Sequence, residues 1–106
     1  MNKDLLPIGS VIRAVNGEKT LMICARILTP AEDDTIYDYG AYLFPEGAGR
    51  SEELYLFNQE DIAEVLFIGF QDFQELDYRS KLNSLGELKV ENGKFVEVTD
   101  TEKQDN

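Results

Sequence analysis

Apolar and polar residues in this chain mostly alternate with the two-residue period of β-strands, and a helical period appears once, late in the sequence. Residues 10–15 are mostly apolar, with β-branched Val11, Ile12 and Val15, and Pro7 and Gly9 set their entry. Residues 20–28 are apolar on both faces, with Leu21, Ile23, Ala25 and Ile27 on one and Met22, Cys24 and Leu28 on the other. Such a strand belongs in the middle of a sheet or beneath another element. Asn16-Gly17 stands between the two runs and suits the tight type I′ turn of a hairpin, which needs positive φ at both positions. Thr29-Pro30 ends the second strand, because proline has no N–H for a ladder, and residues 31–35 form an acidic loop.

Residues 37–44 and 53–57 read as a second hairpin around a flexible turn at 45–50. Asn58 is a good N-cap for a short helical turn over 59–64, with Glu60 and Asp61 where the helix dipole favours acids. Residues 65–70 have the length and aromatic content of a buried strand. The pattern over 72–85 is helical, and Gly86 is a natural stop. At 100° per residue, Phe73 and Leu76 fall on one side of this helix, while Tyr78, Leu82 and Leu85 lie nearly opposite. One stripe packs on the sheet; the other must meet the C-terminal segment, a second copy or another protein. Residues 88–98 repeat the hairpin pattern around Asn92-Gly93 with cleaner alternation, as a half-exposed hairpin would. The predicted fold is α+β. It is mainly antiparallel, with about five strands in a partly closed small barrel or bent sheet, one C-terminal helix and a terminal hairpin. Residues 5–98 make a single compact domain, and 99–106 a flexible acidic and polar tail.

Length agrees with one domain: 106 residues can bury a core without metal or disulfide, and 42% hydrophobic content is that of a globular chain. Charge narrows the function. Ten basic against 21 acidic residues give a net charge of -11, which phosphate backbones and anionic lipid repel, so neither nucleic acid nor a membrane surface is an expected partner. The acidity serves solubility, or it suits a basic partner or mimicry of nucleic acid. Cys24 is the sole cysteine and reads as a small buried hydrophobe. The N-terminus has no apolar leader, and no run reaches membrane-spanning length, so the expected location is the cytoplasm.

Candidate chemistry is sparse. Without histidine and with one cysteine, neither His-based catalysis nor a zinc site is expected, and no cofactor is implied. Ser10, Ser51, Ser80 and Ser84 lack a nucleophile motif. The Gly-rich stretch at 46–51 lacks the P-loop lysine and is better read as a hairpin turn. Glu32-Asp33-Asp34 lacks the ligand spacing of a calcium loop. Glu60-Asp61 and Glu75/Asp77 are acid–base pairs on paper, but at helix starts and exposed helical positions, so no enzyme is expected. The aromatic residues are more telling. Alternation puts Tyr37 and Tyr39 on one face of the third strand and Tyr42 and Phe44 on the other, so one face presents tyrosines to solvent or a partner unless helix and hairpin cover both. The expected protein interface comprises Tyr78, Leu82 and Leu85 on the helix, extended by Tyr39 and Tyr42, with the alternative that the terminal hairpin covers the helix stripe and makes it core.

Several segments resemble the bacterial DUF4176 family: Leu6-Pro7-Ile8-Gly9-Ser10-Val11, then Glu18-Lys19-Thr20-Leu21-Met22-Ile23, then Tyr37-Asp38-Tyr39 and Tyr42-Leu43-Phe44-Pro45-Glu46-Gly47. Phe57-Asn58-Gln59-Glu60-Asp61-Ile62 and Glu64-Val65-Leu66-Phe67-Ile68-Gly69-Phe70 continue it, so the likeness spans about residues 5–85. The resemblance implies a small cytosolic protein of Gram-positive bacteria linked to type VII secretion and LXG-type toxins. It implies a non-enzymatic chaperone or targeting partner that binds a secreted effector or its targeting factors, and it carries no catalytic residues. The competing role is an immunity protein that neutralises a toxin.

Overall fold

The computed structural model describes residues 4–30, 32–49 and 54–98. Five strands form one antiparallel sheet: β1 (Val11–Ala14), β2 (Thr20–Leu28), β3 (Tyr37–Phe44), β4 (Tyr55–Phe57) and β5 (Ile62–Phe67). Their order is β4-β3-β2-β1-β5, so doubly apolar β2 is central, as its sequence requires. A 3-10 turn at Gln59–Asp61 precedes β5, helix α1 (Phe73–Ser84) follows it, and β6 (Leu88–Glu91) with β7 (Lys94–Glu97) makes a separate two-stranded hairpin. Among the described residues the sheet has its edges at β4 and β5 and is bent, not closed. Register shifts between β1 and β5, and between Ile23 and Ala25 of β2, break its regular alternation.

The two Asn-Gly turns differ. At Asn92 and Gly93 both φ values are positive, 53° and 77°, and Glu91 pairs with Lys94, as a two-residue type I′ turn demands. At Asn16-Gly17 only Asn16 has positive φ, and the ladder ends with Arg13 opposite Thr20, so the expected tight turn opens into a longer loop. The Val15 N–H is drawn out of the hairpin: it donates at 2.8 Å to the carbonyl of Asp61, in the 3-10 turn ahead of β5.

That bond also corrects the region after β4. The helical turn expected over 59–64 stops at Asp61, and the strand expected over 65–70 begins at Ile62, where Ala14 pairs with it and its side chain reaches the core. Asp38 and Asn58 anchor the turn. The Asp38 N–H donates to Asn58 Oδ1 at 3.0 Å, and Asp38 Oδ2 accepts from the Gln59 N–H at 2.8 Å.

The Pro7-Ile8-Gly9-Ser10 segment is a turn closed by Ser10 N–H on the Pro7 carbonyl at 3.2 Å, with Gly9 at φ +91° where a type II turn needs it. Gly9 donates to the Ile23 carbonyl and Ile23 to the Ser10 carbonyl, both at 2.8 Å, which ties the segment to β2. Leu5 is thereby set into a core with Ile12, Leu21, Ile23, Tyr39, Ala41, Phe57 and Leu82.

Helix α1 starts where its sequence says. The Asp72 side chain accepts from the Glu75 N–H at 2.9 Å, an N-cap bond. Its orientation buries part of the helix stripe expected at an interface. Leu82 is 7% exposed and belongs to the core, and Leu85 packs against that core, while Phe73 is 90% exposed and Leu76 is also exposed. A small sheet buries one helix stripe, and it has taken the one expected to face a partner. The terminal tail predicted over 99–106 lies outside the described residues.

Candidate protein-binding surface

One face of the sheet is the core. Ile12 of β1, Leu21 and Ile23 of β2, Tyr39 and Ala41 of β3 and Phe57 of β4 point into it. Away from the register shifts, alternation sends their neighbours to the opposite face. Pairing aligns those neighbours in a row: Val11 lies beside both Met22 and Phe67, and Thr20 beside Phe44. Together with Gly9 and Leu66 they line an open apolar groove of about 580 Å³ that crosses the sheet from β3 to β5. Phe44 and Leu66 are about half exposed and Phe67 is 61% exposed. Farther along the chain Ile68, Phe70 and Phe73 are also exposed, Phe70 at 78%. Single exposed hydrophobes are ordinary, but Phe44, Leu66 and Phe67 around one groove mark a place of contact.

Strand β5, which walls the groove, is held to its backbone neighbours without being covered. The Gly69 N–H donates to the buried Ser10 Oγ at 2.9 Å, so the chain leaves β5 pressed against the Ile8–Ser10 backbone. Arg13 and Glu64 form an ion pair across the β1–β5 ladder. A second hollow, about 400 Å³, opens beside the first loop and is lined by Ala14, Leu21, Leu43 and Tyr55 under Glu18 and Lys19.

The five residues expected at an interface separate. Tyr39 is fully buried. Its hydroxyl accepts from the Leu6 N–H at 2.9 Å and donates to Gln59 Oε1, and its ring lies 5.4 Å from that of Phe57. Tyr39 and Leu82 are therefore core residues, and Leu85 is half-buried against them. Tyr42 pairs with Met22 and so stands on the groove face, half-buried. Tyr78 is half exposed, and the Arg26 guanidinium sits 5.3 Å from the centre of its ring. Sequence reading missed the groove itself, although the outward positions Met22 and Phe44 were legible from alternation.

Of the acidic candidates, Glu75, Asp77 and Asp61 are engaged in ion pairs or hydrogen bonds. Glu75, expected on an exposed helical position, is 11% exposed and accepts a forked pair of bonds from Arg26 at 2.7 and 2.9 Å. Arg26 also donates to the Leu6 carbonyl at 3.4 Å, so this ion pair joins α1, β2 and the N-terminal segment. Asp77 pairs with Lys81 at the surface, and Asp61 accepts from the Asn58 N–H. Among the described residues no group of three or more His, Cys, Asp or Glu is placed to hold a metal, and no helix is long and apolar enough to cross a membrane. Cys24 is half-buried, and burial raises its thiol pKa above the usual value.

The family model described as "Domain of unknown function (DUF4176)" matches residues 5–78. That span covers the five-stranded sheet and the first half of α1, and ends short of the 85 expected from the resemblance. No curated protein and no solved structure matches the chain.

Proposed function

The chain belongs to the DUF4176 family, and from that premise we propose that it is a non-enzymatic protein-binding module working through the outer groove of its sheet. One observation carries the reading: Met22, Phe44, Leu66 and Phe67, around a buried Val11, line an open apolar groove on a chain of net charge -11. Burying such a groove is worth about 25 cal/mol for each Å² of apolar surface removed from water, a gain that a docking partner collects. The role we assign is that of a cytoplasmic chaperone or targeting partner for an LXG-type effector of type VII secretion, following the family resemblance.

Co-expression with an LXG-type protein encoded beside this gene tests the assignment. The effector's N-terminal targeting region should co-purify with the wild-type chain and be lost with a Met22→Lys/Phe44→Ser variant that keeps its thermal midpoint. The acidity supports a second reading, an immunity protein that covers a basic toxin site. In that case the chain should bind the C-terminal toxin domain and protect cells that express it. Retention of the effector by the groove variant would refute the groove as the working surface.

A further inference from the structure

Resting on the reading of this chain as a protein-binding module, we infer that its partner docks as an extended segment added to the free edge of β5 as a sixth strand. The segment presents apolar side chains to the groove and carries net positive charge.

A sheet edge offers unpaired N–H and C=O groups, and natural proteins guard it by shortness, proline, lysine or a covering element. The two edges here are treated differently. β4 is three residues long and offers little. β5 is six residues long, Ile-Ala-Glu-Val-Leu-Phe, with no proline, no lysine and a single charge, Glu64, already engaged by Arg13. Along it, Ala63 to Phe67 are all exposed, without the in-and-out alternation of a strand whose one face is covered. Leu66 and Phe67 are consecutive, so they project to opposite sides of the strand, yet both border the groove where β5 ends. A strand laid beside β5 satisfies its backbone groups and sets alternate side chains on that apolar floor.

Charge selects the occupant. β5 contains no cationic residue, and the chain as a whole carries -11, so bringing two copies edge to edge joins two strongly anionic bodies. A basic segment of another protein is attracted by the same field. This separates strand addition by a partner from pairing of β5 with its own copy.

The test uses the full chain, isotope-labelled, and three capped twelve-residue probe peptides in low salt. The first alternates lysine with valine and phenylalanine, the second replaces every lysine by glutamate, and the third carries two central prolines. The lysine peptide should shift amide resonances over residues 62–70 and slow their hydrogen exchange. The glutamate and proline peptides should bind at least tenfold more weakly, as should the lysine peptide to a Leu66→Lys variant of unchanged thermal midpoint. Four outcomes overturn the inference: no binding of the lysine peptide at millimolar concentration, equal binding of the proline peptide, shifts confined to the hollow by Leu43 and Tyr55, or β5 amides already protected in a peptide-free dimer. The module reading fails separately, when no effector region co-purifies; if the effector is captured through the groove while the peptides fail, only strand addition falls.

Discussion

Gly69 shows how much of this fold hangs on single residues. A Cβ there would stand 2.2 Å from the Ile8 carbonyl oxygen and 2.9 Å from the Ser10 nitrogen, both backbone atoms that cannot step aside. Gly69→Ala therefore has to part β5 from the Leu-Pro-Ile-Gly-Ser segment and break the bond to Ser10 Oγ. The expected loss is about 2–3 kcal/mol, as for overpacking of a tight site, read as a lower midpoint in urea. Arg26 makes the same point with charge. Arg26→Ala leaves the Glu75 carboxylate desolvated without its fork of donors, and removing one partner of a buried pair costs about 3–5 kcal/mol. Replacing both, as Arg26→Met/Glu75→Leu, should recover most of that loss, because neither charge is then stranded. Cys24 supplies the pH dependence. Burial holds its folded thiol pKa above the unfolded value, so its stabilising contribution is complete below the unfolded pKa and fades as pH rises through the folded one. Iodoacetamide should accordingly alkylate folded protein at pH 8 more slowly than urea-unfolded protein. Equal rates would show a thiol with normal access and acidity.

At the scale of elements, local grammar was legible and neighbourhood was not. β2 and β3 begin and end where their apolar runs do, because proline, glycine and acidic clusters punctuate both. The N-cap at Asp72 was equally visible, and Asp72→Ala should lower stability by about 1 kcal/mol in thermal melts. What the chain did not announce is the bulge at Ile23–Ala25. Beyond it Arg26, not Ala25, pairs with the inward-facing Tyr39, and a charged side chain arrives under α1. Tyr39 looked like an exposed tyrosine for the same reason. Its hydroxyl is satisfied by Leu6 and Gln59, partners distant in sequence that no local pattern brings together. The helix stripe was a choice between two faces of similar apolarity, decided by fit to Leu5, Tyr39 and Phe57. Leu82→Asp should therefore unfold the protein by burying an unpaired charge, whereas Phe73→Asp should leave the midpoint within about 0.5 kcal/mol. The reverse ranking would restore the expected interface.

For the whole molecule the decisive fact is the order of strands. A short apolar run reads alike whether it is central or peripheral, so the pattern over 65–70 predicts a buried strand; only the pairing of β5 with β1, across the sheet from β4, puts it at an edge. The groove depends on that same crossover, since Phe67 meets Val11 nowhere but in the folded sheet. The terminal hairpin stands outside this arrangement. β6 and β7 pair with each other in their own sheet, none of their residues belongs to the core, and the family match ends before them, inside α1. Leu85, which does pack on the core, precedes them. A chain truncated after Gly86 should then keep the five-stranded sheet and α1, with the same β1–β5 amide shifts and a loss of no more than about 1 kcal/mol, the scale of contacts outside a core. It should also retain any partner captured through the groove, because Met22, Phe44 and Phe67 are untouched. A truncated chain that unfolds would mean that the hairpin completes the core. One that folds but loses the partner would move the binding surface from the sheet to the hairpin.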